Sequence, residues 1–326
     1  MATQSSSMFS GPLATAMDGF VAEKRGVGYR YEAGARGLVE LDRFSVAVRH
    51  QEPTLSRELV LQWVAKRAHE TERNRQRRIS LVRALGEYMQ RCGYSAFAYP
   101  RHLDRRAEPP YLPYIFSASE LARLFTCIDG CRPHVTSPER QRVLPMLFRL
   151  LYGCGLRVSE ALALRARDID LNVDAVRVRE AKFGKERIVP LHPSLARRLR
   201  DYLPTSLGLL DADRAVFPSP QGGAYSRHTV YAHFRRFLWA AGISHGGRGR
   251  GPRLHDLRHT FAVHCLRDWV TSGVDLSNAL PYLSTYLGHN GLRGTQAYLR
   301  LTAELYPDIV ASVDRQFGPL LPKVLA

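Results

Sequence analysis

The chain has 326 residues, of which 45% are hydrophobic, and its 47 Lys and Arg against 30 Asp and Glu give a formal net charge of +17. This length allows two domains of ordinary size, and the hydrophobic fraction is that of a globular protein with a buried core. The charge indicates a polyanionic partner, usually nucleic acid, although a ribosome-associated or merely basic protein would have the same composition. No uncharged apolar run is long enough to span a bilayer, so we expect no membrane partner.

Five cysteines form no even set for a disulfide framework, and nothing suggests secretion, so we expect reduced thiols in a cytoplasmic, nucleoid-associated protein. Cys127 and Cys131, followed by His134, invite comparison with a zinc site. No second Cys/His pair at ligand spacing lies nearby, so no metal is predicted. The Ser-rich residues 1–10 are predicted to be a disordered tail rather than a signal peptide.

Residues 11–99 are predicted to form a helical domain. Apolar residues recur at helical spacing, and Ser56 suits the N-cap of one helix. The last helix, from about residue 71 to residue 92, ends before Gly93 and has an apolar rear. Its front is basic, and we predict that it contacts DNA, a solvated basic face being the alternative. The arginines concerned are Arg73, Arg75, Arg77 and Arg78.

Residues 100–114 are charged and rich in proline, which stops both helix and sheet, so they are predicted to be an interdomain linker. A second domain is predicted over 115–326, and Ser117 starts its first helix. The strongest β signal in the chain is a hairpin over 174–191. Helices are predicted near 143–152, 158–164, 226–241, 256–268, 278–287 and 295–313. The fold class is therefore mainly α with a small β-sheet (α+β).

Two arginines stand in motifs that suit a phosphate clamp. Arg157 closely follows Gly155, which allows a sharp turn, and its guanidinium is a charged planar fork that can meet two phosphate oxygens. Glu160 lies three residues later, where it can orient that guanidinium. Arg258 has His255 three residues before it, on the same face of a helix. We therefore predict that Arg157, His255 and Arg258 meet at one phosphate.

Cutting DNA without a metal requires a nucleophile, positive charge on the phosphate, and an acid for the departing 5′ oxygen. The chain lacks the carboxylate cluster of a two-metal nuclease. His289 follows the helix-stopping Gly288, and Tyr298 comes 298 − 289 = 9 residues later. A phenol has a pKa of about 10, so a tyrosine nucleophile needs a base or strongly cationic surroundings. His255 is paired with Arg258, whereas His259 and His264 lack a partner of this kind and are expected to be structural.

In this order and spacing, the segments around Arg157, Arg258 and His289 resemble the motifs of the tyrosine recombinase, or phage integrase, family. The resemblance covers most of the chain. Within the family, the chain resembles Xer-like or mobile-element integrases. It implies that Tyr298 is the nucleophile, because Tyr298 stands at the family's spacing after His289. The implied catalytic set is Arg157, Lys182, His255, Arg258, His289 and Tyr298.

The lysine in this set comes from the resemblance alone, which implies a general acid in the hairpin turn. Aligning the family pattern on Lys185, Glu186 and Arg187 places Lys182 in the catalytic position, with Phe183 where the family has glycine. Lys185 and Arg187 are expected to contact DNA. A solvated turn lysine is the alternative for Lys185.

The resemblance also implies the activity, which is site-specific recombination of duplex DNA through a 3′-phosphotyrosine, for integration or excision of a mobile element. It implies no metal or other cofactor, a clamp around double-stranded DNA, and a homo-tetramer on two DNA sites that is a monomer when free. It further implies that the helical domain over 11–99 is a core DNA-binding domain and that 115–326 is a catalytic domain with a C-terminal assembly tail. The apolar tail over 317–326 is expected to join protomers, packing on its own domain being the alternative. The alternatives are a type IB topoisomerase-like nicking-closing enzyme and a non-catalytic DNA-binding relative.

Overall fold

The structure is a computed structural model, and it describes residues 7–101, 112–179, 186–207, 212–247, 251–289, 291, 294–296, 298, 299 and 301, with residues 205–207 as backbone only. The chain divides into two compact units, Met1–Tyr111 and Leu112–Ala326. Each unit has a hydrophobic core of its own. None of the described helices is both long enough and apolar enough to cross a membrane.

The first unit is built from four helices, α1 (Ala14–Gly26), α2 (Glu32–Ala47), α3 (Arg57–Val64) and α4 (Glu72–Arg91). All of them bury apolar side chains in one core, which includes Phe20, Leu38, Trp63 and Leu85. The Ser56 hydroxyl accepts a hydrogen bond from the Leu59 N–H, so the predicted N-cap of α3 is confirmed. A side-chain cap of this kind satisfies a backbone donor that the helix itself cannot.

The prediction of a disordered tail over residues 1–10 is wrong for residues 7–10. The Phe9 side chain is buried in the core of the first unit. The Ser10 N–H donates to the buried Asp42 carboxylate at 2.9 Å, and the Gly11 N–H donates to its other oxygen at the same distance. Burial of the Phe9 ring and the two hydrogen bonds to Asp42 offset the conformational entropy lost when this segment is ordered, and the serine-rich composition hid this contribution. Residues 1–6 lie outside the described part of the chain.

The four arginines at the start of α4 do not share one environment. Arg73 and Arg77 are exposed, whereas the Arg75 Nε donates to the Val64 carbonyl at 2.9 Å. Arg78 is buried and paired with Glu70, and it also donates to the Trp63 carbonyl. The grouping of Arg78 with the DNA-contacting arginines is therefore corrected, because its guanidinium ties α3 to α4 instead.

The described residues of the second unit form seven complete α-helices, a short 3-10 helix (Ala166–Asp168) and one small sheet, and residues 294–296, 298, 299 and 301 are also helical. The seven α-helices are α5 (Ala118–Asp129), α6 (Arg140–Gly153), α7 (Val158–Ala163), α8 (Pro193–Leu207), α9 (Arg227–Ala240), α10 (Leu254–Thr271) and α11 (Leu276–Leu287). The predicted helix start at Ser117 is confirmed, and Ser117 and Glu120 form a reciprocal capping box there. The apolar helix α6 lies at the centre, where it packs against α5, α7, α8 and α10.

The sheet confirms the predicted hairpin. Strands β1 (Ile169–Asp170), β2 (Ala175–Val178) and β3 (Arg187–Pro190) form an antiparallel sheet in the order β1-β2-β3, with Val176 opposite Val189. Arg187, the first residue of β3, stands opposite Val178 and so next to the hairpin turn. The turn at 180–185 lies outside the described residues, and with it Lys182 and Lys185.

Helix α8 was not predicted, although its apolar residues carry a helical signal. Leu195, Leu199 and Tyr202 recur at spacings of four and three residues, and all three are buried. Pro193 is the first residue of the helix, where a missing N–H costs nothing. Pro204, inside the same helix, obscures the pattern because proline normally ends a helix.

Candidate active site

The sharp turn between α6 and α7 begins the site. Gly155 has a φ of +57°, which L-residues with a side chain rarely adopt. A Cβ atom at this position would lie 2.6 Å from Cδ1 of Phe261 on α10, so the close approach also requires glycine. The Gly155 carbonyl accepts a hydrogen bond from Nη1 of Arg258 at 2.6 Å. This turn therefore joins the start of α7 to α10.

The first arginine of the site is held by the carboxylate predicted to orient it. Oε1 of Glu160 accepts from Nη1 of Arg157 at 2.6 Å, and its Oε2 accepts from the Arg157 backbone N–H at 2.9 Å. Nη2 of Arg157 also donates to the Gly288 carbonyl at 3.1 Å, at the end of α11. A guanidinium has five N–H groups, and these contacts leave donors for a phosphate.

Glu160 bridges two arginines, and the second is Arg187. Nη2 of Arg187 donates to Oε2 of Glu160 at 2.8 Å, its Nη1 donates to Oε1 at 3.1 Å, and its Nε donates to the Tyr286 carbonyl at 2.7 Å. The Arg187 side chain is only 8% exposed. The prediction that Arg187 contacts DNA is therefore corrected, since this arginine joins β3 to α7 and α11 beneath the site.

The Glu160 carboxyl stays ionised down to low pH. Burial by itself raises its pKa, but the hydrogen bonds and charge of Arg187, together with those of Arg157, outweigh burial and lower the pKa to about 2. A buried carboxylate with two guanidinium partners satisfies its charge locally. Glu160 thus fixes the position of Arg157 relative to β3.

Arg258 lies near the start of α10 and is almost fully buried. Its two Nη atoms donate to the carbonyl of Gly155, in the turn after α6, and to the carbonyl of Leu287, the last residue of α11. Burial, followed by the charge of Arg157, lowers the pKa of Arg258 to about 10, so the guanidinium is still protonated at neutral pH. Arg258 therefore carries a positive charge at the point where three helices meet.

His289 follows directly on the end of α11. Gly288 ends the helix with a φ of +66°, and a Cβ atom there would lie 2.9 Å from Nη1 of Arg187. The His289 N–H donates to the Ser284 carbonyl at 2.9 Å, and its Nδ1 lies 2.9 Å from Oγ1 of Thr295. The left-handed turn at glycine therefore turns the His289 ring towards the segment that carries Tyr298.

Tyr298 is buried, with 3% of the residue exposed, among Val263, Leu283 and Leu287 of a small apolar cluster. Its ring lies 5.9 Å from that of His289, with 23° between the two planes. Burial outweighs the charge of Arg258 and a hydrogen bond to it, so the pKa of the Tyr298 phenol is raised above its ordinary value. The charges of Arg258 and Arg157 still act on the phenol, which is the cationic setting predicted around Tyr298.

The structure adds His259, which the sequence did not indicate as functional. Nδ1 of His259 lies 2.9 Å from the Tyr298 hydroxyl oxygen, within hydrogen-bonding distance. The His259 ring also meets the ring of His255 edge to face, with centroids 4.6 Å apart. His259 is adjacent to Arg258 in the motif, which was the one available signal. Its contact with Tyr298 joins residues 39 apart and depends on tertiary structure.

The three histidines of the site are neutral at physiological pH. His255 keeps an exposed edge, yet surrounding protein and the charges of Arg258 and Arg157 lower its pKa to about 4. Burial and the same two arginines lower the pKa of His289 to about 4. Burial, followed by the charges of His255 and Arg258, lowers the pKa of His259 to about 3. The positive charge of the described site therefore comes from its arginines.

Comparison with known proteins identifies the family. Residues 116–304 match the model of the phage integrase family, which is more than half of the chain. The chain belongs to the phage integrase family. It is a tyrosine-type site-specific DNA recombinase, an enzyme that breaks and rejoins DNA. The predicted family and the predicted α+β fold class are both confirmed.

The recombinase matches one relative over nearly its full length and another over part of it. It is 30% identical to y4rB of Sinorhizobium fredii, named as an integrase/recombinase, over 93% of this chain and 97% of that protein. It is 33% identical to the tyrosine recombinase XerA of Thermococcus kodakarensis over 60% of this chain and 61% of that protein. The conserved architecture therefore extends beyond the matched family segment.

Solved structures share the fold of this recombinase. The Tn1549 transposon integrase in complex with a circular intermediate DNA matches with a TM-score of 0.60 at 16% identity, covering 87% of this chain and 94% of that chain. The XerH recombinase bound to palindromic difH substrate in a post-cleavage complex matches with a TM-score of 0.58 at 18% identity. The match covers 81% of this chain and 74% of that chain.

The described residues of this integrase-family site contain no group of three or more His, Cys, Asp and Glu side chains placed to hold a metal ion. Cys127 and Cys131 are free thiols. Of the predicted catalytic set, Arg157, His255, Arg258, His289 and Tyr298 lie in one cluster formed by α7, α10, α11 and the segment after it. Lys182 belongs to the turn outside the described residues.

Proposed function

We propose that this recombinase cleaves DNA by attack of the Tyr298 hydroxyl on a phosphodiester that Arg157 and Arg258 hold. The observation that carries the proposal is the position of the Tyr298 phenol, buried beside the Arg258 guanidinium and two neutral histidines. Arg157 and Arg258 keep free N–H donors, which can stabilise the non-bridging oxygens as charge develops. His255 and His289 line the same cluster and can donate hydrogen bonds to the phosphate.

In this mechanism the phenol oxygen of Tyr298 bonds to phosphorus as the bond from phosphorus to the 5′ oxygen breaks. The products are a 3′-phosphotyrosine and a free 5′ hydroxyl, whose proton we assign to Lys182. In the second half of the reaction, the 5′ hydroxyl of a partner strand attacks the phosphotyrosine and releases the tyrosine. The bond energy stays in the phosphotyrosine, so the reaction needs no nucleotide cofactor.

A nicked suicide substrate tests the proposal directly, because loss of the short cleaved fragment traps the covalent intermediate. Digestion and mass spectrometry of the trapped adduct should place the nucleotide on the peptide that contains Tyr298. The absence of any adduct on the element's own end sequences would favour the non-catalytic alternative. A topoisomerase-like enzyme would instead relax any supercoiled plasmid and would not exchange strands between two cognate duplexes.

The assignment of Lys182 as the general acid gives a separate prediction. Lys182→Ala should slow cleavage by about 10²–10⁴-fold, the usual contribution of a general acid, whereas Lys185→Ala should have a much smaller effect. A substrate with sulfur in place of the 5′-bridging oxygen should restore cleavage by Lys182→Ala, since a thiolate leaves without a proton. Equal losses in both variants, or rescue of Lys185→Ala instead, would mean that the hairpin alignment is shifted.

We propose that the first unit, over about residues 11–99, is a DNA-binding domain, joined by a linker over 100–114 to a catalytic domain over 115–326. Its two exposed arginines on α4, Arg73 and Arg77, are the proposed phosphate contacts. Arg75 is half-buried and contributes less, because its Nε is already bonded to the backbone. Lys185 remains a proposed DNA contact of the hairpin turn.

Replacing Arg73 and Arg77 together by alanine should weaken DNA binding and reduce the salt slope of log K by about 2, one for each lost phosphate contact. The matched control is Arg25→Ala, an exposed arginine at the end of α1, which should leave the slope unchanged. Affinity measured by fluorescence anisotropy across salt concentrations provides both numbers. An unchanged slope in the double variant would remove α4 from the DNA interface.

We further propose that the recombinase acts as a homo-tetramer on two sites of a mobile element, within the nucleoid, and is a monomer without DNA. The apolar residues of 317–326, outside the described part of the chain, are proposed to dock on a neighbouring protomer. Deleting residues 317–326 should spare folding and binding to a single site but weaken the pairing of two sites. A truncated protein that forms tetrameric complexes and recombines at the full rate would contradict this role.

A further inference from the structure

His259 is held at the reacting atom of the proposed nucleophile. Its Nδ1 lies 2.9 Å from the Tyr298 hydroxyl oxygen, and the two ring centroids are 5.4 Å apart. The ring is partly buried on α10, next to the buried Arg258. This geometry lies within the range of about 2.6–3.2 Å in which a general base must reach the proton that it removes.

We propose that His259 is the general base that takes the phenolic proton of Tyr298 during strand cleavage and returns it during rejoining. The proposal rests on the proposed function, in which Tyr298 is the nucleophile. In the forward step the O–H bond of Tyr298 breaks, its oxygen bonds to phosphorus, and the proton moves to Nδ1 to form an imidazolium. In the reverse step the tyrosine oxygen leaves phosphorus and recovers that proton.

The other polar side chains of the cluster are engaged in ways that suit this task less well. Nδ1 of His289 lies 2.9 Å from Oγ1 of Thr295, and the His289 ring is stacked on the tyrosine ring with 23° between planes. A stacked ring presents its face to the phenol, whereas a base must present the in-plane lone pair of a nitrogen. Glu160 is occupied by Arg157 and Arg187. His259, in contrast, has a ring nitrogen at the Tyr298 hydroxyl.

The charge state of His259 suits a proton acceptor. Because burial and the neighbouring charges of His255 and Arg258 lower its pKa to about 3, His259 is a neutral imidazole and only a weak base in the free enzyme, and in the Nε2–H tautomer its lone pair lies on Nδ1. A bound phosphodiester brings negative charge to the same cluster, and a nearby opposite charge favours the protonated imidazole. The affinity of His259 for a proton therefore rises when DNA is bound, which is when the proton must be received.

A merely structural His259 would hold the tyrosine ring without taking a proton, and two substitutions separate these roles. His259→Asn keeps a hydrogen-bond acceptor near the position of Nδ1 but cannot become protonated at neutral pH, and His259→Phe keeps the ring without an acceptor. If His259 is the base, both variants should bind DNA normally and form the covalent adduct about 10²–10⁴-fold more slowly. If it only positions Tyr298, His259→Asn should retain most of the cleavage rate.

Two chemical rescues make the test specific. A fluorinated tyrosine installed at position 298 has a more acidic phenol, so it should partly restore cleavage by His259→Asn. The 5′-bridging sulfur substrate helps only a missing acid, so it should leave this variant slow. Single-turnover adduct formation on the suicide substrate is the measurement, and thermal unfolding of each variant shows whether it is folded.

The experiments test the role of His259 as base separately from the role of Tyr298 as nucleophile. Wild-type cleavage by folded His259→Asn, or rescue of that variant by the sulfur substrate rather than by fluorotyrosine, would overturn the role of His259 as a base. Neither result would affect the assignment of Tyr298. An adduct formed by Tyr298→Phe would instead overturn the proposed nucleophile, whatever the behaviour of His259.

Discussion

Tyr298→Phe is expected to abolish the covalent DNA adduct while DNA binding stays nearly unchanged. The substitution removes the attacking oxygen and its hydrogen bond to His259, but it leaves the ring in the apolar cluster around Leu287. Removing one partner of a buried hydrogen bond costs about 1–3 kcal/mol, so the variant should still fold. Adduct formation on the nicked suicide substrate and affinity for the intact site are the two measurements.

The matched controls for this experiment are tyrosines on α11. Tyr282→Phe alters a side chain that is 76% exposed and should leave cleavage unchanged. Tyr286→Phe alters a phenol whose pKa is raised far above its ordinary value, first by burial, and whose hydroxyl faces the Pro190 carbonyl. Tyr286→Phe should therefore still form the adduct. Loss of the adduct in Tyr286→Phe, with retention in Tyr298→Phe, would exchange the two assignments.

Glu160→Ala is expected to produce the largest loss of stability among changes at the site. The substitution leaves the buried Arg187 without its carboxylate, and breaking a buried ion pair in this way costs about 3–5 kcal/mol. It also frees Arg157 from its anchor, so cleavage should fall even when DNA is saturating. The control is Glu139→Ala, which removes an exposed partner of Arg142 at 3.6 Å and should cost about 0–1 kcal/mol.

The contribution of Glu160 should also depend on pH. Its pKa in the folded protein is about 2, below the ordinary value of 4.5, so its charge contributes stability above that ordinary value. The contribution is lost as the pH falls from about 4.5 towards 2. Urea unfolding of the wild type and of Glu160→Gln should therefore differ most near neutral pH and converge in acid. A difference that is constant from pH 7 to pH 3 would show that the carboxylate is not stabilised by its charge.

Local patterns in the sequence predicted much of the fold. The Ser56 cap, the helix start at Ser117 and the hairpin around Val176 are each set by residues a few positions apart, and all three are confirmed. Helix α8 was missed because a proline inside it weakened a local pattern that was present. Local signals are readable because cap hydrogen bonds and side-chain periodicity act over one or two turns.

Whether a charged side chain is buried or exposed was harder to predict from the sequence. Arg73 and Arg78 lie five residues apart on α4, yet the first is exposed and the second is buried against Glu70 and Trp63. Arg187 was expected on the DNA face and lies instead beneath the site, bound to Glu160. The local sequence around an arginine is the same whether the side chain is exposed or buried in an ion pair. The presence of a partner from elsewhere in the chain decides which of the two occurs.

The sequence by itself determined the family, the α+β class and the motif residues Arg157, Arg258 and Tyr298, because helical spacing and motif order are properties of the chain. Only the tertiary structure placed His259 at the hydroxyl of Tyr298 and set Glu160 between two arginines. The physical reason is that these contacts join α10 to the segment after α11, and β3 to α7. Their hydrogen bonds form only when packing of the core brings distant parts of the chain within about 3 Å.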